Sequence, residues 1–524
     1  MSGVSETKAK LLGLPMGFSV LAGGICLFWA LVAWLTVRAG ADILAEAVQV
    51  QVLLKAPKFV LTYPGQNYGG VIEYPFLLIS EAIAPGNPYA YTFWRLVFAF
   101  LTGFLAARLF LTLFPEARRW AFLIAVAVGP ALLHGRTGPA GNEVGVIWLN
   151  STYPMSWLLV IGGAVLAALA MKEPGKRTYW RLGLAGLLVG LGIYEQPTAL
   201  ILTAALAALI LVTWPGTIRA WVIVLLGVAV GLIPLALSVG PLKAVTHGAP
   251  AHFPTPTVDT AMRALGLSAQ HQPFNAVLPD PLGIEAGYPI FGVWFTRICV
   301  ILVIALAIGG LFFALLARQS PNRKLIGGLS LAWVAGIGAI LFFDTVMETV
   351  WFYGVGLSVL TWLSIGALPE IRPKAVGAVA AAIALLIMGA AFIKHESPHW
   401  VSFIDELQSK QLGVSDARAV AEAINAQGVS YVFGSYLDII PMGYYSEGNL
   451  RVISNHYDRF ALSDEEKAQG VLTVAVNQVP TDPWGEEAIA TVQASCKSLP
   501  ITINEPGQIY GTYACPVGVV GQIK

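Results

Sequence analysis

The chain has 524 residues, 56% of them hydrophobic and only 12% charged, with a formal net charge of +1. A soluble protein of this length carries roughly twice that share of charge, so a water-soluble globular protein is excluded. The near-neutral balance also leaves no basic footprint for nucleic acid.

The apolar residues come in long runs, the mark of a polytopic helical membrane protein. Lys8 and Lys10 precede the first run, 18–37, which is too long for a secretory signal and lacks a small-residue cleavage site; it reads as a retained span. Further runs centre on 92–113, 120–134, 155–171, 181–194, 198–213, 219–238, 292–316, 325–343, 352–368 and 374–393. At about 20 apolar residues per crossing this makes about eleven spans. The fifth and sixth runs are separated only by Gly192 to Pro197, so they form either a tilted hairpin or one broken element. No internal repeat is present.

Lys and Arg collect in every second connection: Lys8 and Lys10; Arg118 and Arg119; Lys172, Lys176, Arg177 and Arg181; Arg219; Arg318, Arg323 and Lys324; Arg372 and Lys374. By the positive-inside rule the N-terminus is cytoplasmic and, after an odd number of spans, the C-terminus lies outside. The long connections, 38–91, 134–154 and 239–291, then share the extracytoplasmic face. Residues 1–393 form the membrane domain and 394–524 a second domain outside.

In that second domain 416–427 has helical spacing, with Ala419, Val420, Ala423 and Ile424 on one side and Gly428 as its stop. Segments 430–433, 450–454, 471–476 and 501–503 read as short strands, so the domain is α/β. Cys496 and Cys515 fall within it, and outside the membrane they either pair or remain thiols. Cys26 and Cys299 sit in apolar runs and read as core residues.

The middles of most spans carry no charge; Arg95 and Arg108 are the main exceptions, and either side chain is long enough to snorkel to an interface. The polar information is concentrated instead in the first outer loop, Arg38 to Pro75. It holds Asp42, Glu46 and Glu73 and a compact turn, Gly65-Gln66-Asn67-Tyr68-Gly69-Gly70. Asp42 and Glu46 share a face if the segment is helical. The following alternation, Val48, Val50 and Val52 against Gln49 and Gln51, suits a strand equally well. The glycines permit a tight turn and close approach of a ligand. Asn142-Glu143 and Tyr194-Glu195 also reach the outer face. Glu195, costly to bury unpaired, either faces a cavity or lies in a hydrated turn.

Asp42 followed by Gly65, Gln66, Tyr68, Gly70 and Glu73 resembles the first outer loop of bacterial GT-C-fold glycosyltransferases, in the group related to protein O-mannosyltransferases and lipid A aminoarabinose transferases. The tail resembles the same group at Val429 to Tyr436 and Arg451 to Ile453. The usual Asp-Glu pair is here Asp42-Ile43, with Glu46 one turn on. The resemblance implies a mainly α, GT-C-like polytopic fold with a small extracytoplasmic α/β domain. It also implies inverting transfer of a sugar from a polyprenyl-phosphate donor to a cell-envelope acceptor, whether glycan, lipid or protein. Asp42, or else Glu46, is then the catalytic base. Glu73, Gln66, Asn67, Tyr68, Glu143 and Glu195 contact sugar or acceptor, and Arg136, His247 and Arg263 are candidates for the phosphate. No metal ligand set is assigned; a divalent cation is a candidate cofactor, because three neighbouring carboxylates suit one. The rival readings are a transporter or flippase of a lipid-linked sugar and a non-catalytic assembly protein of the cell envelope.

Overall fold

The computed structural model describes residues 3–35, 41–55, 60–62, 69–115, 119–132, 153–172, 178–239, 292–340, 354–386, 389, 415–434, 436–454, 464–478, 483–505 and 508–522. The helices of the first part are α1 (Gly3–Leu35), α2 (Ala41–Lys55), α3 (Tyr74–Ile83), α4 (Pro88–Leu113), α5 (Arg119–Leu132), α6 (Tyr153–Lys172), α7 (Thr178–Glu195), α8 (Ala199–Thr213), α9 (Ile218–Gly231), α10 (Ile233–Val239), α11 (Gly292–Leu316), α12 (Arg323–Ile340) and α13 (Gly354–Ala367). A further helix, α14, runs over Lys374–Leu386. Each stretch expected as a span is thus helical over most of its length. Among the described residues, Pro88–Leu113 and Pro154–Lys172 are long and apolar enough to cross a membrane by length and composition alone.

Local chemistry sets several boundaries. Asn87 accepts hydrogen bonds from the backbone N–H groups of Tyr89 (3.0 Å) and Ala90 (3.4 Å), and Pro88 occupies the first turn of α4. Gly86 precedes this cap at φ +64°, a conformation that favours glycine. The run expected as one span over 219–238 is divided at Leu232, and Pro234, with no N–H to donate, stands in the first turn of α10.

The stretch between the fifth and sixth expected spans is a turn between two helices that diverge: α7 packs on α6 and α9, α8 on α12. Glycines bring α7 and α9 into backbone contact. A Cβ on Gly186 would lie 2.0 Å from the Val224 carbonyl oxygen, and one on Gly190 2.3 Å from that of Val228. The main apolar core runs through α1, α4, α5, α6, α8 and α13, with Phe110 and Phe122 stacked at 4.5 Å between ring centroids. On the outside, Val222, Leu225, Leu226 and Val230 of α9 and Leu306, Phe312, Leu315 and Leu316 of α11 are exposed. An apolar face this extensive is what a bilayer covers.

The C-terminal part contains α15 (Ser415–Ala426), β1 (Tyr431–Gly434), α16 (Tyr436–Tyr445), β2 (Arg451–Ser454), α17 (Asp464–Ala468), β3 (Val471–Asn477), α18 (Pro483–Ser495), β4 (Lys497–Glu505), β5 (Gln508–Pro516) and α19 (Val517–Gln522). The five strands form one mixed sheet in the order β2-β1-β3-β5-β4. β1 is parallel to β2 and β3, and β5 is antiparallel to β3 and β4. Cys496 and Cys515 are disulfide-bonded, at a Cα–Cα distance of 4.6 Å. The boundary expected near residue 393 lies outside the described residues.

One face of the sheet packs with α18 and α19 around Phe433, Val474, Val492 and Cys515. A second apolar cluster joins this part to the 38–91 connection: Leu44, Ala45, Val48 and Val50 of α2 and Leu77 of α3 share one core with Val420, Ile439, Ile440 and Tyr444. Helix α2 is therefore buried on more than one side, and the polar-apolar alternation over 48–52 does not mark a strand. The contact also puts the first loop and the C-terminal sheet on one side of the helical bundle.

The α7–α9 contact leaves no room for a side chain. Gly186→Val is expected to lower stability by about 3 kcal/mol or more through overpacking. The yield of monodisperse protein in detergent and its thermal midpoint check this.

Candidate functional site

The site is built around one guanidinium. Arg95 lies in the second turn of α4, about 10 Å along the helix from Pro88. Its side chain is fully buried. Its Nη2 donates to Glu46 Oε2 at 2.6 Å and to Glu73 Oε1 at 2.9 Å, and both carboxylates are also fully buried. Tyr91, one turn earlier on α4, donates its hydroxyl to the same Glu46 oxygen at 3.1 Å, and the guanidinium lies over its ring at 5.4 Å. Arg95 therefore does not snorkel to the surface; it pairs inward. Arg108, about three and a half turns further along α4, is half-buried.

Each carboxylate comes from a different local structure. Glu46 is near the middle of α2. Glu73 occupies the N-cap position of α3 but makes no side-chain cap; its side chain turns to Arg95, and its carbonyl accepts from Phe76 N (3.0 Å) and Leu77 N (3.2 Å). The helix dipole of α3 favours a negative charge at that end. Arg95 thus fastens α2, α3 and α4 together.

Glu195 extends the cluster from the end of α7. It is fully buried, and its Oε2 accepts from the backbone N–H of Ile72 at 2.9 Å. Its carbonyl accepts from Gly70 N at 2.8 Å. A Cβ on Gly70 would meet Glu195 Oε2 at 2.3 Å, so the close approach this glycine permits is to α7. Tyr194 adds a second tie, donating its hydroxyl to the Leu61 carbonyl at 2.6 Å. The described residues 60–62 and 69–72 of the 38–75 loop are thereby pinned to the end of α7.

The charge balance is uneven, with Glu46, Glu73 and Glu195 against Arg95. Burial raises the Glu46 carboxyl well above the usual carboxylate range; the charge on Glu73 adds to this and Arg95 opposes it. Glu46 Oε1 and Glu195 Oε1 are buried with no hydrogen-bond partner among the described residues. Within that same set, no group of three or more His, Cys, Asp or Glu residues is arranged to hold a metal ion.

Of the residues singled out from the sequence, Glu46, Glu73 and Glu195 come together. Asp42 falls in the first turn of α2, one turn before Glu46 on the same helical face; its side chain lies outside the described residues. Gln66, Asn67, Tyr68, Arg136, Glu143, His247 and Arg263 also lie outside them. Arg95 was visible in the sequence as a charge inside an apolar run. Its partners were not, because Glu46 and Glu73 lie 49 and 22 residues away in the chain.

No protein-family model matches the sequence, and no curated protein matches it. Solved structures do resemble it. ArnT from Cupriavidus metallidurans bound to undecaprenyl phosphate superposes with a TM-score of 0.50 at 10% identity, over 95% of this chain and 98% of that one. The same protein in the apo state gives 0.49 at 11% identity, over 97% and 99%. The chain has a GT-C-like fold over nearly its whole length.

Breaking the cluster should be costly. Arg95→Met strands buried carboxylates and is expected to cost about 3–5 kcal/mol at neutral pH. The pH dependence has a definite sign. Because the folded Glu46 carboxyl titrates above its unfolded value, its contribution is complete below about pH 4.3 and is lost as pH rises through the folded value. Thermal midpoints should therefore fall with rising pH, more steeply in Arg95→Met, where the opposing cation is absent. A flat profile in both proteins would count against a buried, protonatable Glu46.

Proposed function

We propose that the chain is an inverting glycosyltransferase that moves a sugar from a polyprenyl-phosphate donor to an acceptor on the extracytoplasmic face of the membrane. The observation that carries this reading is the anchored first loop. Arg95, Glu46 and Glu73 fix α2 against the outer end of α4, and Asp42 lies in the first turn of α2. The GT-C-like fold and the bound undecaprenyl phosphate of the ArnT structure support the donor class.

In this mechanism Asp42 is the base. It takes the proton from an acceptor hydroxyl as that oxygen attacks the anomeric carbon from the face opposite the phosphate. The C–O bond to the phosphate breaks, the configuration at carbon inverts, and the lipid phosphate leaves with its negative charge. Arg136, His247 and Arg263, on the long outer connections, are assigned to that charge. Gln66, Asn67, Tyr68 and Glu143 are assigned to sugar and acceptor hydroxyls. Glu46, already ion-paired and fully buried, serves as the anchor of α2 rather than as the base. Glu73 and Glu195 complete the wall behind it, holding Arg95 and the turn at Gly70.

Two observations support an outward-facing C-terminal domain: its disulfide, which suits an oxidising compartment, and the basic connections assigned to the opposite face. The position of the charged cluster argues against a transporter. Transport sites gather near the bilayer midplane, whereas Arg95 stands in the second turn of its helix.

Purified protein incubated with a panel of polyprenyl-phosphate sugars should consume one of them. Asp42→Asn should lower that turnover about 100- to 10,000-fold while membrane insertion and thermal midpoint stay unchanged. Undiminished turnover in the variant would remove Asp42 from the chemistry.

A further inference from the structure

Helix α2 has a second polar anchor, built from three distant parts of the chain. Gln51, in its last turns, donates from Nε2 to Glu81 Oε2 of α3 at 3.2 Å and to the Tyr444 carbonyl of α16 at 3.1 Å. Glu81 also accepts from Gly86 N at 3.2 Å and, on its other oxygen, from the Tyr444 hydroxyl at 2.8 Å. Gln51 is 5% exposed, Glu81 1% and Tyr444 0%. An ionised carboxylate accepts and never donates, and here three donors converge on it.

The surroundings tie the same elements together. Arg418 of α15 donates to the Gly86 carbonyl at 3.2 Å, and its guanidinium lies over the Tyr445 ring at 5.8 Å. Lys55, the last residue of α2, donates to Asn449 Oδ1 at 3.2 Å. The Tyr444 ring packs against Tyr91, 6.3 Å between centroids, and Tyr91 in turn donates to Glu46. Tyr444 therefore touches both anchors of α2, directly through Gln51 and Glu81 and by ring contact through Tyr91.

We propose that Tyr444 of the C-terminal domain is a positioning residue for the first outer loop, setting the height and rotation of α2, and thus of Asp42, through Glu81 and Gln51. The inference rests on the glycosyltransferase reading for its catalytic consequence but not for its structural one. Two anchors five residues apart fix a helix in both translation and rotation, whereas the Arg95 anchor alone leaves the far end of α2 free to swing. The C-terminal domain is then part of the catalytic apparatus without contacting the reacting atoms.

The test uses the full chain in lipid nanodiscs, with Tyr444→Phe, Glu81→Gln and the pair. Tyr444→Phe removes one hydroxyl and keeps the ring. It should lower kcat about 10- to 100-fold, the loss expected of a misplaced reactive group, with KM for the donor little changed. If Tyr444 acts through Glu81, adding Tyr444→Phe to Glu81→Gln produces little further loss; independent effects would multiply. Hydrogen–deuterium exchange provides a readout free of activity. Amides of 41–55 should exchange faster in Tyr444→Phe while those of α6 and α7 do not change.

Unchanged exchange over 41–55, or multiplying losses of kcat, would overturn the proposal. Should either phenol-dependent variant prove too unstable to purify, Gln51→Met probes the same anchor from α2, and unchanged exchange there would be equally fatal. Faster exchange in the variants, combined with no donor consumed by the parent protein, would sink the glycosyltransferase reading and leave the positioning role standing.

Discussion

Placing a guanidinium in an apolar helix near a membrane imposes a demand that the neighbouring structure has to meet. A buried cation without partners is among the most costly features a fold can carry. Arg95 meets the demand by drawing Glu46 and Glu73 from two other helices and by lying over Tyr91. Each recruitment brings a segment with it. Glu46 brings α2 down onto α4, and Glu73 fixes the start of α3. Glu195 stands behind them and closes the turn at Gly70. The loop that carries α2 and α3 has a defined shape because one charge has to be neutralised beneath it.

The C-terminal sheet then covers what that arrangement leaves open. Helix α2 presents apolar residues away from the bundle as well as toward it, and Ile439, Ile440 and Tyr444 cover them. Such contact supplies most of the attraction but little direction, since apolar burial is roughly proportional to area. Direction comes from the Glu81 network. The covering domain and the loop are therefore folded as one unit, although hundreds of residues separate them in sequence.

Much of this architecture was legible in the sequence, for identifiable reasons. Hydropathy located the long helices of the bundle because each is a predominantly apolar run, and β1, β2 and β3 fell close to their expected places. Strand β5 and helices α16 and α18 were not anticipated. Their sequences mix glycine, proline and aromatic residues, and β5 is fixed by its pairing with β3 and β4 rather than by local period. The 48–52 segment fitted helix and strand equally for the opposite reason: a helix buried on several sides loses the one-faced period that identifies helices. Glu46 and Glu73 were recognised by type and neighbourhood, but their common partner was not. A salt bridge across 49 residues leaves no trace in spacing. Glu81, Gln51 and Tyr444 carried no signal at all, because a glutamate near an apolar segment looks the same whether it is solvated or gathers three donors.

A buried ion pair is a poor means of gaining stability, since well-packed apolar residues of the same volume often do as well or better. What the Arg95 cluster supplies is register. Apolar contacts along α2 would tolerate a slide of one turn, about 5.4 Å, with modest loss. The same slide would strip Glu46 from Arg95 and Tyr91 and leave buried polar groups without their partners, at a cost of about 1–3 kcal/mol for each. The Gln51–Glu81–Tyr444 network applies the same penalty at the other end of the helix. The proposed mechanism, with its base at the first turn of α2, needs that helix held to a fraction of a turn. Two desolvated polar anchors achieve this where a greasy interface cannot, and their expense in stability is the reason to read them as positioning devices.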